Sequence, residues 1–380
     1  MIVLGIETSC DETAAAIVED GYKLHSNVVA SSMDLHAVYG GVVPEIAARS
    51  HIEAIMPVIH QALDDAAMTW NNIDAIAVTY GAGLGGSLLI GVLSARTLAI
   101  TKRKPLYAIN HVEGHVYANF ITETALPGYT VPKTQPEFPM LALIVSGGHS
   151  QLALFRNHFD YTLLGQTQDD AIGEAFDKVA KIVGLPYPGG PSVGKKALEG
   201  DAYTYSLPKA QMKHTSPALV ALRQENDIKL PQVSPGTRHA VSYDFSFSGL
   251  KTAVLRAAQA AVGADFTLPS YELPQRLSEA QKANIAASFQ RVAIETVVDK
   301  AILAFEEFTP KTVVIAGGVA ASPELRRQLA ERLPIPIAYT DPKLCTDNGA
   351  MIATLGCFTA QAHRPAADPY TLDIAPNLSM

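Results

Sequence analysis

His111 and His115 stand four residues apart in Asn110-His111-Val112-Glu113-Gly114-His115. On a helix that spacing sends both imidazoles from one face, close enough to share one ion. Two ligands leave a metal half held, and the best candidate for a third is Asp347, in Cys345-Thr346-Asp347-Asn348-Gly349-Ala350. Two histidines and a carboxylate leave coordination positions open, which suits iron or zinc acting on a phosphate or a carbonyl. The competing reading is a pair of core histidines satisfied by backbone, and spacing alone does not choose between them. A zincin arrangement fails on position: its general base follows the first histidine directly, whereas Glu113 lies two residues on, roughly 200° around a helix.

Three turns that contain glycine follow apolar, strand-like runs: Gly5 to Thr13, Val145 to Ser150 and Ile315 to Ala320. Glycine lets backbone N–H groups approach a ligand closely, and Ser and Thr add hydroxyl donors, so the set points to a nucleotide-type site. No GxxxxGK[ST] and no GxGxxG opening a helix occurs at these turns, which gives no support to a P-loop or a dinucleotide fold. Asp11 and Glu12 in the first turn are typed to hold a metal or to position a polar group of the substrate. Acids in turns are also commonly just solvated or bonded to nearby backbone. Cys10, beside Ser9, is read as a small buried thiol rather than a nucleophile.

The elements that would carry these groups are legible from the hydrophobic pattern. Met1 to Ile6, Ala14 to Val18 and Leu24 to Val29 are apolar runs separated by turns, the pattern of an antiparallel meander. Pro44 to Ala67 has helical spacing; Ile73 to Thr79 reads as a buried strand, Gly81 to Gly86 as a loop and Ser87 to Thr101 as a helix. The proline-rich stretch Thr130 to Pro139 is the clearest linker. Beyond it the plan recurs, with strands over Met140 to Val145 and Gln151 to Phe155 and a helix over Asp170 to Val183. Pro186 to Pro191 reads as a rigid loop, Leu277 to Phe305 as a long amphipathic helix or a close pair, and Thr312 to Arg332 as strand, glycine turn and helix. Asp201 to Tyr243 stands apart, with weak periodicity and five basic residues against three acidic ones. A solvated loop is favoured there over an RNA-contacting arm.

A chain of 380 residues with 48% hydrophobic and 17% charged residues has the composition of a globular protein of about two domains. No apolar run approaches the ~20 residues of a membrane span, and the N-terminal stretch lacks a signal-like core, so a cytoplasmic enzyme is expected. Three scattered cysteines are too few for a disulfide framework. A net charge of -8 provides no global basic footprint, so a polynucleotide substrate would need a local patch or a basic partner.

Gly5 to Thr13, Tyr39 to Glu45, the histidine pair, Val145 to His149, Gly173 to Lys178, Tyr187 to Pro191, Phe245 to Thr252 and Cys345 to Ala350 run in an order that resembles the TsaD family, the tRNA adenosine threonylcarbamoyltransferases, bacterial relatives of the Kae-type proteins. The resemblance spans nearly the whole chain. It implies the α/β actin-like, sugar kinase and Hsp chaperone fold, with ligand in a cleft between a first domain (1–130 plus 346–380) and a second (140–345, interrupted by the irregular insertion 201–243). It implies transfer of threonylcarbamoyl from threonylcarbamoyl-adenylate to N6 of the adenosine 3′ of the anticodon, in tRNAs reading codons that begin with adenine. His111, His115 and Asp347 fall on the family's metal ligands, with Fe2+ expected first and Zn2+ as the alternative. Ile144, Val145, Ser146, Gly147, Gly148, Asp177 and Gly190 fall on its substrate-binding positions, and Ser9, Asp11, Glu12, Gly317 and Gly318 complete the expected site. Two positions depart from the family pattern: Ser322 where Asn is usual, and Gly194 where Asp is common, so that Gly194 has no side chain for ribose hydroxyls. The resemblance also implies tRNA, a TsaB-like dimerisation partner and a TsaE-like ATPase as partners. Two alternatives are a small-molecule kinase of the same fold, which needs no histidine pair, and a non-catalytic nucleotide-binding scaffold, in which the metal ligands would be dispensable.

Overall fold

The computed structural model describes residues 1–212, 217–225 and 242–380, and these divide into two compact units, Met1–Pro136 with Ala338–Met380 and Glu137–Ile337. The first unit opens with the expected meander, β1 (Ile2–Glu7), β2 (Glu12–Glu19) and β3 (Lys23–Ser31), paired antiparallel. A short α1 (Met33–Ala37) precedes α2 (Pro44–Asp65), which starts at a proline, a residue suited to the first helical turn because its missing N–H is not needed there. β4 (Ala75–Gly81) then joins β1 in parallel, α3 (Gly85–Lys102) crosses back, and β5 (Leu106–Asn110) pairs with β4. β5 runs straight into α4 (His111–Tyr117), and the two-residue β6 (Glu123–Thr124) closes the order β5-β4-β1-β2-β3-β6. Leu4 and Ile6 of β1 and Ile17 of β2 pack with Ile55, Val58 and Ile59 of α2 and Val92 of α3 into one apolar core. Because β1 and β2 are buried on both faces, they read as continuous apolar runs instead of alternating ones.

The second unit repeats the plan. β7 (Met140–Val145), β8 (Ser150–Asn157) and β9 (Asp160–Gln166) form an antiparallel meander. Helices follow: α5 (Ile172–Val183), α6 (Gly189–Ala197), α7 (Pro217–Glu225), α8 (Ser248–Ala261), the single turn α9 (Leu273–Arg276) and the thirty-residue α10 (Glu279–Phe308). β10 (Thr312–Ala316) then pairs in parallel with β7, and α11 (Pro323–Arg332) packs on α10. The sheet order β10-β7-β8-β9 matches β4-β1-β2-β3 of the first unit. α10 is one continuous helix with a full capping box, Ser278 accepting from the Gln281 N–H and the Gln281 side chain from that of Ser278.

Two expectations for this unit change. Pro186 to Pro191 is not all loop, since α6 begins at Gly189. Pro191 falls in its first turn, where a missing N–H costs nothing, and Gly189 sits where a Cβ would come within 2.5 Å of Asp177 Cα. The insertion 201–243 is not simply a solvated loop either: α7 buries Leu219 and Leu222, and its Arg223 grips Glu307 of α10 at 2.5 and 2.8 Å. Lys209 pairs with Glu295 and Asp299, both at 2.8 Å. Two of the basic residues counted in that stretch are therefore neutralised, while Lys213, Lys229 and Arg238 lie outside the described residues.

The chain returns to the first unit at Ala338, earlier than the 345/346 boundary read from the sequence. After a short α12 (Pro342–Cys345) comes α13 (Gly349–Gln361), buried through its first nine residues and apolar on all sides. α13 lies on β1 and β2, on the face opposite α2 and α3. The contact is backbone to backbone: a Cβ on Gly5 would sit 2.3 Å from the Gly349 carbonyl oxygen and 2.4 Å from the Ala353 nitrogen. Among the described residues no helix is long and apolar enough to cross a membrane.

Candidate metal centre and glycine-turn site

The first unit builds its site from three chain segments. Asn110, the last residue of β5, caps α4 by accepting from the Val112 and Glu113 N–H groups, so His111 opens the helix and His115 follows one turn later. Asn348 caps α13 in the same way, accepting from Met351 N–H, and its amide also ties to the carbonyls of Leu344 and Thr346. That double tie fixes Asp347 at the head of α13, and α13 packs on α4. The result is that one ligand atom from each of His111, His115 and Asp347 falls within 4.8 Å of the others. Glu113, whose geometry argued against a zincin, does not belong to the cluster.

The ring orientations are set from behind. Glu7 is fully buried; one carboxylate oxygen accepts from the Ser9 N–H and the other from the Thr79 hydroxyl, both at 2.5 Å. The second oxygen lies 3.1 Å from His111 Nδ1, and Ser9 Oγ is also 3.1 Å from that nitrogen. With Nδ1 bound to a carboxylate, His111 turns Nε2 toward Asp347 Oδ1, 3.6 Å away. A histidine ligand held by a buried carboxylate is the usual outer layer of a metal site. Sequence pattern alone assigns Glu7 no role; its one signal is an acid closing the apolar strand β1.

His115 supplies the test of whether these residues fit an ion. Its Nε2 lies 3.1 Å from Asp347 Oδ1 without making a hydrogen bond, and neither ring nitrogen has a hydrogen-bond partner although the residue is 2% exposed. A buried imidazole left unsatisfied is costly, and coordination to an ion shared with Asp347 would resolve it, so the residues fit a metal. Burial works against a proton on His111, but the Asp347 and Glu7 carboxylates outweigh it and raise the imidazole to about 9, so this donor set favours a cation. Burial, then Asp347, Asp11 and Glu7, push the Glu12 carboxyl up to about 10. Burial likewise drives the Cys10 thiol well above its ordinary range, with Asp11 and Asp347 adding to it, which removes the thiolate a nucleophile would need.

The second unit gathers the glycine-turn residues. Ile144 and Val145 end β7, and Ser146 closes the turn, its hydroxyl accepting from the His149 N–H at 3.0 Å. Gly147 and Gly148 are exposed, and a Cβ on either would meet nothing within 4 Å. Gly317 has φ +88°, a conformation that favours glycine, and a Cβ there would come within 2.5 Å of the Val145 carbonyl oxygen. Gly318 continues that turn, and Ser322 caps α11, accepting from the Leu325 N–H. The change from Asn to Ser keeps a capping side chain. Asp177 on α5 accepts from the Gly189 N–H at 2.6 Å, and burial raises its carboxyl above the ordinary aspartate range. Gly190 is open, and Gly194 lies one turn further along α6, where a Cβ would be 4.0 Å from Gln290 Oε1.

The doubled plan of a meander with a parallel strand beside its first strand is that of the actin-like, sugar kinase and Hsp chaperone class of α/β protein. Sequence comparison narrows the class. The profile of the family described as TsaD: tRNA N6-adenosine threonylcarbamoyltransferase matches residues 23–354, and this chain belongs to that family. It is 47% identical over 371 residues to the tRNA N6-adenosine threonylcarbamoyltransferase of Thermomicrobium roseum, covering 95% of this chain and 92% of the relative. It is 42% identical to the protein of the same name from Dehalococcoides mccartyi, covering 100% and 99%. Among solved structures it is similar to component A of the Acidaminococcus fermentans (R)-2-hydroxyglutaryl-CoA dehydratase, at 16% identity and a TM-score of 0.47 over 95% of this chain and 99% of that one.

Proposed function

We propose that this tRNA-modifying transferase moves threonylcarbamoyl from threonylcarbamoyl-adenylate to N6 of the adenosine 3′ of the anticodon, in tRNAs reading codons that begin with adenine. The observation that carries the reading is the cluster of His111, His115 and Asp347, with His115 left without a hydrogen bond. Those three residues would hold one divalent ion, Fe2+ or Zn2+ by their donor set, and when bound it would supply Lewis-acid polarisation of a carbonyl or phosphate oxygen. Glu7 holds the His111 Nδ1 side, which keeps Nε2 directed at Asp347. The exposed backbone at Gly147 and Gly148 suits the adenylate phosphate, and Asp177 and Gly190 suit the nucleoside. In the transfer, the adenine N6 bonds to the carbamoyl carbon, the carbon–oxygen bond to phosphate breaks, N6 loses a proton and AMP departs.

The acidic chain would work in the cytoplasm with a TsaB-like dimerisation partner and a TsaE-like ATPase. An apolar face on the neighbouring helices α2 and α3, with Ile52, Met56, Leu89 and Leu93 exposed, supports a protein partner. The test is to combine threonylcarbamoyl-adenylate, unmodified tRNA and these partners, then measure tRNA nucleosides by mass spectrometry beside the metal content of the protein. Threonylcarbamoyladenosine is expected with metal-loaded protein only. Full transfer by metal-free protein would refute the metal's part, and no modified adenosine alongside a working control would refute the reaction.

A further inference from the structure

The turn that carries Asp11 and Glu12 is held by a buried imidazole outside the cluster described above. His51, on α2, is 0% exposed, and both of its ring nitrogens are engaged with that turn: Nε2 at 3.0 Å from the Cys10 carbonyl oxygen and Nδ1 at 2.8 Å from Thr13 Oγ1. A carbonyl can only accept, so Nε2 carries the proton, and the neutral ring then accepts the Thr13 hydroxyl proton at Nδ1. A second chain of bonds reaches the next carbonyl. Val43 N–H donates to His36 Nδ1 at 3.2 Å, His36 Nε2 meets Ser32 Oγ at 3.1 Å, and Ser32 donates to the Asp11 carbonyl from Oγ at 2.9 Å and from N at 3.0 Å. The acid turn therefore hangs from α1 and the first turns of α2 by bonds to the Cys10 and Asp11 carbonyls and the Thr13 hydroxyl, none of which engages the Asp11 or Glu12 carboxyl groups.

We propose that His51 is a positioning residue for threonylcarbamoyl transfer: with its two ring nitrogens it fixes the turn that carries Asp11 and Glu12 and that meets the His111, His115 and Asp347 cluster through the Ser9 hydroxyl on His111. The proposal rests on that cluster being where the transfer takes place. Burial holds the His51 imidazole below its ordinary range, against the pull of the Cys10 carbonyl and the Glu7 and Asp11 charges, which is the neutral state the two bonds require. A residue acting through the turn should set the rate of transfer and leave tRNA binding and metal content alone.

The experiment compares wild type, His51→Ala and His51→Gln in the tRNA transfer assay with partners present, recording kcat, KM for tRNA, bound metal and melting temperature. His51→Ala is expected to lower kcat about 10- to 100-fold with metal content and KM for tRNA unchanged. His51→Gln, whose amide can still donate to the Cys10 carbonyl, should recover most of that loss. A folded His51→Ala protein with wild-type kcat, or a His51→Gln protein no faster than His51→Ala, overturns the proposal. Should the alanine protein fail to fold, Thr13→Val decides: it removes one hydroxyl at nearly constant volume, and a several-fold fall in kcat is expected where a wild-type kcat would overturn. His115→Ala run in parallel separates the two ideas, because a fully active His115→Ala protein refutes the cluster as the reaction centre and does so independently of His51.

Discussion

The two units open with the same strand, turn and strand, yet the turns are furnished in opposite ways. The turn after β1 is filled with side chains: Glu7, Thr8, Ser9, Asp11 and Thr13 are all buried, with Thr13 bonded to α2, Thr8 to α3, and Glu7 and Ser9 to His111 of α4. The turn after β7 is bare, with Gly147 and Gly148 exposed and open space where their side chains would be. One plan of backbone has thus been spent on fixed side-chain chemistry in the first unit and on accessible peptide groups in the second. The lesson is that topology sets where a site can form, while the crowding of the turn sets what kind of recognition it performs.

The largest break in this contrast should come from the first turn's neighbourhood. His115→Ala, or dialysis against a strong chelator, should reduce transfer by about 10³-fold if the ion contributes several kcal/mol to the barrier, read as modified adenosine per minute. Glu7→Gln keeps the shape but weakens the charged support behind His111, and should cost about 10- to 100-fold in metal affinity by competitive titration. Gly5→Ala forces a methyl to within 2.3 Å of the Gly349 carbonyl, and a loss of about 1–3 kcal/mol, or more if α13 undocks, is expected in denaturant unfolding. Gly147→Ala sharpens the comparison from the other side. With nothing within 4 Å it should change stability by less than about 0.5 kcal/mol, while raising KM for the adenylate if the exposed backbone is the phosphate site.

Much of this arrangement is legible in the residues. The apolar runs of β1, β2 and β7 and the span of α11 follow directly from periodicity, and the histidine pair does lie on a helix, α4. What stayed hidden was local chemistry overruled by packing. The Pro/Gly run at 188–191 has every mark of a breaker, but its glycines let α6 begin against α5, so tertiary contact decides the element. α7 is hidden by the prolines around it, and its place is set by the buried Arg223–Glu307 pair, which joins residues too far apart for any window to connect. Glu7, His36 and His51 were invisible as functional residues for a related reason. Each works through hydrogen bonds to groups distant in the chain, and only the fold brings donor and acceptor together.

The late return of the chain has a consequence for biosynthesis. Residues Glu137–Ile337 are contiguous and can fold as soon as they emerge, whereas the first unit lacks the helix lying on β1 and β2 until Gly349–Gln361 has been made. Asp347 comes with that helix. On the ribosome, the unit that carries the His-His-Asp cluster is therefore the last to be finished, and a nascent chain halted before residue 347 would carry both histidines with no Asp347 carboxylate beside them.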